Sequence, residues 1–130
     1  MAILTAQQAR DLANLFFDLA QKMGNYRFDN WDKLSEDDRA SLESRMWTLI
    51  NYSSDFTAEA VSLTVDELDP ILKQIESATK KMTKAIKTLG TVRKVLTVAA
   101  AAIKLGAAIM AGNVGQIAAA AQEGIDAATG

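Results

Sequence analysis

Residues 68–110 read LDPILKQIESATKKMTKAIKTLGTVRKVLTVAAAAIKLGAAIM, and they carry the clearest helix signal in the chain. Large apolar side chains recur in this stretch at every seventh position, which is the repeat of a helix that packs against other helices. We call this series the heptad seam, and its members are Leu68, Ile75, Met82, Leu89, Leu96, Ile103 and Met110. The seam predicts one long helix, or two helices if Gly90 interrupts it and Thr91 caps the second.

Helix signals also bound the segments on either side of this stretch. Thr5 and Gln8 have the spacing of a capping box, and Gly24 followed by Asn25 is typical of a helix end. Ser35 precedes three acidic residues, which favour the positive end of a helix dipole. The predicted helices are residues 5–23, 35–63, 67–111 and 114–128.

The fold class follows from these segments. Every long segment has helical periodicity, and no alternating run predicts a strand. The sequence therefore predicts a single all-α domain over residues 1–130, an elongated antiparallel bundle of four helices, or five if the third is divided. Phe28 and Trp31, in the first connector, are expected to cap one end of the bundle.

The residue inventory argues against catalysis. The chain has no histidine and no cysteine, so the commonest general base, thiolate chemistry and the usual zinc ligands are all missing. An acidic cluster is explained by helix capping rather than by metal binding or acid–base work. Its members are Asp29, Asp32, Glu36, Asp37 and Asp38. We expect a protein that is not an enzyme and that has no cofactor and no metal site.

Charge divides the chain into two halves. Residues 1–69 carry 13 acids against 6 bases, whereas residues 70–130 carry 8 bases against 3 acids. Either the halves attract each other, or the basic half meets an anionic partner. Four lysines spaced by seven lie opposite the heptad seam, and a fifth interrupts the apolar segment that follows. These candidate lipid-binding or partner-binding residues are Lys73, Lys80, Lys87, Lys94 and Lys104. The lack of interleaved aromatic residues argues against nucleic acid.

Residues 95–121 carry one charge, Lys104, in 27 positions. A helix that is apolar on all sides must be buried in protein or in lipid. The segment is therefore either the core of the bundle or an apolar hairpin, turning at Gly112 and Asn113, that contacts a membrane. Its first arm, residues 95–111, has the minimum length of a membrane span.

A heptad helix leading into an apolar hairpin resembles the helical pore-forming cytolysins over residues 68–125. The resemblance implies a soluble bundle that exposes its hairpin at a membrane, and a toxin-like, oligomeric mode of action. The alternative is a soluble interaction or self-assembly module that offers the heptad seam to a helical protein partner or to a second copy. No signal peptide is evident at Met1–Thr5. The default expectation is thus a cytoplasmic protein, with leaderless export or membrane association as alternatives.

Overall fold

A computed structural model describes residues 2–88 and 91–130 of the chain, and in those ranges it is an all-α bundle of five helices. Two short strands and one 3-10 turn connect them. The elements are β1 (Ala2–Ile3), α1 (Ala6–Asp29), a 3-10 turn (Trp31–Lys33), α2 (Glu36–Ala58), β2 (Ser62–Leu63), α3 (Asp69–Thr88), α4 (Val92–Ala111) and α5 (Val114–Thr129).

The beginning of α1 is as predicted, but its end is not. Thr5 and Gln8 form the capping box, with the Gln8 N–H donating to Thr5 Oγ1 at 3.1 Å and the Thr5 N–H donating to Gln8 Oε1 at 2.9 Å. The helix continues past Gly24 to Asp29. Gly24 lies against α2 instead, where a Cβ atom would stand 3.1 Å from Met46 Sδ. Close helix packing, rather than a helix stop, explains this glycine.

The helix α2 begins as predicted and ends early. The Asp38 N–H donates to Ser35 Oγ at 3.1 Å, so Ser35 is the N-cap. The prediction that the helix reaches residue 63 is wrong, because α2 ends at Ala58 and the chain then forms β2. β2 pairs antiparallel with β1, placing Leu63 opposite Ala2. Burial of the Leu63 side chain in the core favours this extended conformation over another helical turn.

The predicted helix over residues 67–111 is two helices, which confirms the five-helix alternative. Thr91 has an extended backbone, and its Oγ1 accepts from the Lys94 N–H at 3.4 Å, so it caps α4. The seam position Leu89 and the predicted break at Gly90 lie outside the described residues. The turn into α5 is as predicted, with Gly112 in the left-handed region at φ 76°.

The five helices pack against one another around a shared core. α1 packs mainly on α2 and also on α3, while α2 packs on α4. α5 packs on both α3 and α4 and has no comparable contact with α1 or α2 among the described residues. The core runs through all five helices as one continuous cluster.

The heptad seam is buried in α3 and only partly buried in α4. Ile75 and Met82 are fully buried. In α4 the fully buried positions spaced by seven are Val95, Ala102 and Ile109, each one residue before the seam. The half-buried seam residues there are Leu96, Ile103 and Met110. In one continuous helix the same heptad positions would face the core throughout. Because α4 begins separately at its Thr91 cap, it is rotated about its own axis by one residue, or about 100°, relative to that register.

We expect Leu105→Asp to unfold the protein and Ala107→Asp to be tolerated. Leu105 is fully buried, so the variant places an unpaired carboxylate in the apolar core, at a cost of about 3–5 kcal/mol. Ala107, two residues along the same helix, is exposed, and its change should cost about 0.5 kcal/mol. Urea unfolding followed by circular dichroism measures both. Equal losses of stability would show that the α4 faces are assigned wrongly.

Candidate functional site

The outer face of α3 is a continuous basic surface, which we call the lysine ridge. Lys73, Lys80, Lys84 and Lys87 recur at intervals of seven, four and three, so they lie on one side of the helix. All four are exposed, and neighbouring Lys81 is exposed as well. The ridge forms because the opposite side of α3, with Ile75 and Met82, is committed to the core.

The other two candidate lysines do not belong to this ridge. Lys94 is half-buried at the start of α4, and its Nζ donates to the carbonyl of Ala127, 3.5 Å away in the last turn of α5. A cation there complements the negative end of the α5 dipole. Lys104 lies on the outer face of α4, where its Nζ is 3.0 Å from Glu123 Oε1 of α5. Both lysines therefore hold α4 and α5 together.

The acidic and basic halves of the chain are not joined by ion pairs in the described residues. Two of the four pairs found there lie within the acidic half, Lys22–Asp18 at 3.6 Å and Arg27–Glu43 at 3.2 Å. The other two lie within the basic half, Lys80–Glu76 at 2.7 Å and Lys104–Glu123 at 3.0 Å. The expectation of pairing between the halves is thus not met. Apart from Lys80, the ridge lysines form no ion pair in the described residues.

The apolar hairpin of residues 95–121 is packed within the bundle. Each of its large apolar side chains is buried or half-buried, from Val95 on α4 to Ile117 on α5. Its exposed positions carry only small or polar residues: Thr97, Ala100, Lys104, Ala107, Ala111, Asn113, Gly115, Gln116 and Ala119. In this state the hairpin presents no large apolar surface.

Helix α4 is still long and apolar enough to cross a membrane. It is the one such helix in residues 2–88 and 91–130, and half of its most apolar window is buried in the bundle. The core helices of soluble proteins also have this length and composition. Length and composition alone therefore do not decide between the two environments.

In addition to its core packing, the hairpin is joined to the rest of the bundle at its tip and midway along α4 in the described residues. At its tip, the Thr64 N–H donates to the Gly112 carbonyl at 2.9 Å, and the Val114 N–H donates to Thr64 Oγ1 at 3.2 Å. Midway along α4, the Tyr52 ring of α2 lies directly over Gly106, where a Cβ atom would be only 2.7 Å from the ring. Release of the hairpin would break both contacts.

The exposed aromatic residues lie in the first half of the chain. Phe17 is 50% exposed, Trp47 is 52% exposed and Phe28 is 80% exposed. The expectation that Phe28 and Trp31 cap the bundle end is wrong, because their side chains are 80% and 42% exposed. The Trp31 ring contacts the guanidinium groups of Arg27 and Arg39. The exposure of Phe17 could have been predicted from the sequence. Phe17 directly follows the core residue Phe16, so its side chain points about 100° away from the buried face of α1.

We expect Gly106→Ala to destabilise the protein. The added methyl group would overlap the Tyr52 ring, and overpacking of this kind costs about 1–3 kcal/mol, more than the roughly 1 kcal/mol that alanine contributes to a helix. The matched control is Gly115→Ala on α5, where the nearest atom is Asn113 Oδ1 at 3.3 Å. Thermal unfolding should show a lower Tm for the first variant and an unchanged or higher Tm for the control. A higher Tm for Gly106→Ala would rule out this contact.

No family model, no curated protein and no solved structure matches this chain. Its function has to be inferred from its own surfaces.

Proposed function

We propose that this protein is a non-enzymatic, membrane-active bundle that the lysine ridge recruits to anionic lipid. The observation that carries the proposal is the set of exposed lysines on α3 that the acidic half of the chain leaves unpaired. Each basic residue near an anionic surface contributes about 1 kcal/mol within a Debye length, so the three ridge lysines without an ion pair supply about 3 kcal/mol. That is enough for reversible recruitment.

In this proposal, recruitment precedes exposure of the hairpin. Residues 95–121 are packed in the soluble state, and α4 has the length of a membrane span. The drive to leave the bundle is weak, because 11 of the 23 residues from 99 to 121 are alanine and contribute little transfer free energy. Membrane permeabilisation should therefore need a high density of bound protein.

Vesicle co-sedimentation tests recruitment. The protein should bind vesicles of phosphatidylcholine mixed with phosphatidylserine and should not bind phosphatidylcholine alone. Binding should fall steeply with added NaCl, since the Debye length shrinks to about 8 Å at 0.15 M. The variant with Lys73→Gln, Lys80→Gln, Lys84→Gln and Lys87→Gln should lose most of the binding while remaining folded.

The control variant removes three charges outside both the ridge and the hairpin, with Arg10→Gln, Lys22→Gln and Lys33→Gln. It should bind nearly as well as the original protein, because position rather than net charge decides. If both variants lose binding equally, the ridge is not the binding surface. If the original protein ignores phosphatidylserine at low salt, recruitment itself is wrong.

A fluorophore tests exposure of the hairpin. The chain has no cysteine, so Ala107→Cys on α4 can be labelled at a single site with a probe that brightens in lipid. Asn51→Cys, exposed on α2, is the control. The probe at residue 107 should brighten on anionic vesicles, whereas the probe at residue 51 should not. At high protein loading the vesicles should also release an encapsulated dye. Binding without brightening would limit the protein to the membrane surface.

The second candidate is a soluble interaction or self-assembly module. The α3 part of the heptad seam is already occupied, since Ile75 and Met82 are fully buried in the monomer. A partner would instead use the exposed Phe17 and Trp47 of α1 and α2. Light scattering of the protein in solution separates the two candidates. An oligomer that becomes monomeric when Phe17→Ser and Trp47→Ser are combined would favour the interaction module.

A further inference from the structure

A cleft of about 520 Å³ lies between α2 and α4, and its lining includes none of the ridge lysines. One side carries Asp38 and Arg45 of α2, and the other carries Arg93 and Leu96 of α4. Val92 and Ala100 complete an apolar strip beside the two guanidinium groups. The cleft thus combines cationic donors with an apolar wall.

Arg45 lines this cleft, and one of its guanidinium nitrogens has no partner in the described residues. Its Nε is buried, and among the described residues no hydrogen-bond partner reaches it. Most buried polar atoms in proteins are hydrogen-bonded, so an orphaned guanidinium nitrogen needs an explanation. Arginine presents a planar fork of donors that matches the oxygens of a phosphate or carboxylate group. A group of this kind bound in the cleft would give the Arg45 guanidinium an acceptor.

The surrounding charges also favour an anion. Arg93 stands in the first turn of α4, a turn with no acidic residue, so cations occupy the positive end of the helix dipole. Asp38 is the carboxylate that lines the cleft, and it forms no ion pair with Arg45 or Arg93 in the described residues. Two guanidinium groups against one carboxylate leave a net positive charge for a ligand to neutralise.

We propose that this cleft binds an organic oxyanion, a phosphate or carboxylate group attached to an apolar moiety. Arg45 and Arg93 hold the charged oxygens, and the apolar moiety lies along Val92, Leu96 and Ala100. The cleft is far larger than the charged group alone needs, which is why the apolar attachment belongs to the proposal. The site does not use the ridge lysines, so it stands or falls independently of membrane recruitment.

Hexyl phosphate is the probe, read out by nuclear magnetic resonance of the arginine side chains. Titration should shift the Nε–H signal of Arg45, and calorimetry should show binding at least tenfold tighter than that of inorganic phosphate. Arg45→Met should weaken binding about tenfold or more, because it removes a charge-assisted, two-bond contact. It should also leave the Tm of the free protein unchanged or raised, since it removes the orphaned donor. Arg10→Gln, on the exposed surface of α1, should change neither result.

Vesicles of phosphatidic acid distinguish a lipid headgroup from a soluble phosphate. They are added to the ridge variant, which lacks the proposed recruitment surface. If the ridge variant binds these vesicles and adding Arg45→Met abolishes that binding, the ligand is a lipid headgroup. If the ridge variant binds hexyl phosphate but not the vesicles, the ligand is a soluble molecule. An unmoved Arg45 signal with hexyl phosphate overturns the proposal, as does equal affinity in Arg45→Met.

Discussion

The rest of the structure depends on the need to bury α4, a helix with almost no polar side chains along most of its length. Its neighbours approach closely because small residues line it, and at Gly106 the ring of Tyr52 occupies the space that a side chain would fill. α5 meets α3 in the same way, since a Cβ atom at Gly124 would stand 2.8 Å from Met82 Sδ. Dispersion contacts at this range favour a tightly packed bundle over a loose one.

The packing around α4 keeps the acidic and basic halves of the chain without an ion pair between them in the described residues. α3 commits Ile75 and Met82 to the core, so its lysines face solvent on the opposite side. In residues 2–88 and 91–130 the acidic half pairs within itself, through contacts such as Arg27 with Glu43, and no ion pair joins it to the ridge. The same packing that completes the core therefore separates a basic face from the rest of the molecule. The positive electrostatic field of such a face attracts anionic partners at long range.

The exposed apolar surface lies where the hydrophobic pattern alone would not place it. The most apolar segment, residues 95–121, shows solvent only small or polar residues. The half with a conventional mixed core exposes Phe17, Phe28 and Trp47 instead. Apolar composition decides that a segment must be covered, whereas the packing decides which side chains remain uncovered. Surfaces for binding are for this reason read from the bundle and not from hydropathy.

The sequence by itself determined the all-α class, the caps at Thr5, Ser35 and Thr91, and the turn at Gly112. Each of these rests on local hydrogen bonds or periodicity, which a few neighbouring residues control. Only the tertiary structure decided the long extent of α1, the short strand pair and the rotated burial of α4. It also brought Arg45 and Arg93, which are 48 positions apart in the chain, to one cleft. The physical reason is that these features depend on contacts between distant segments, which no local pattern encodes.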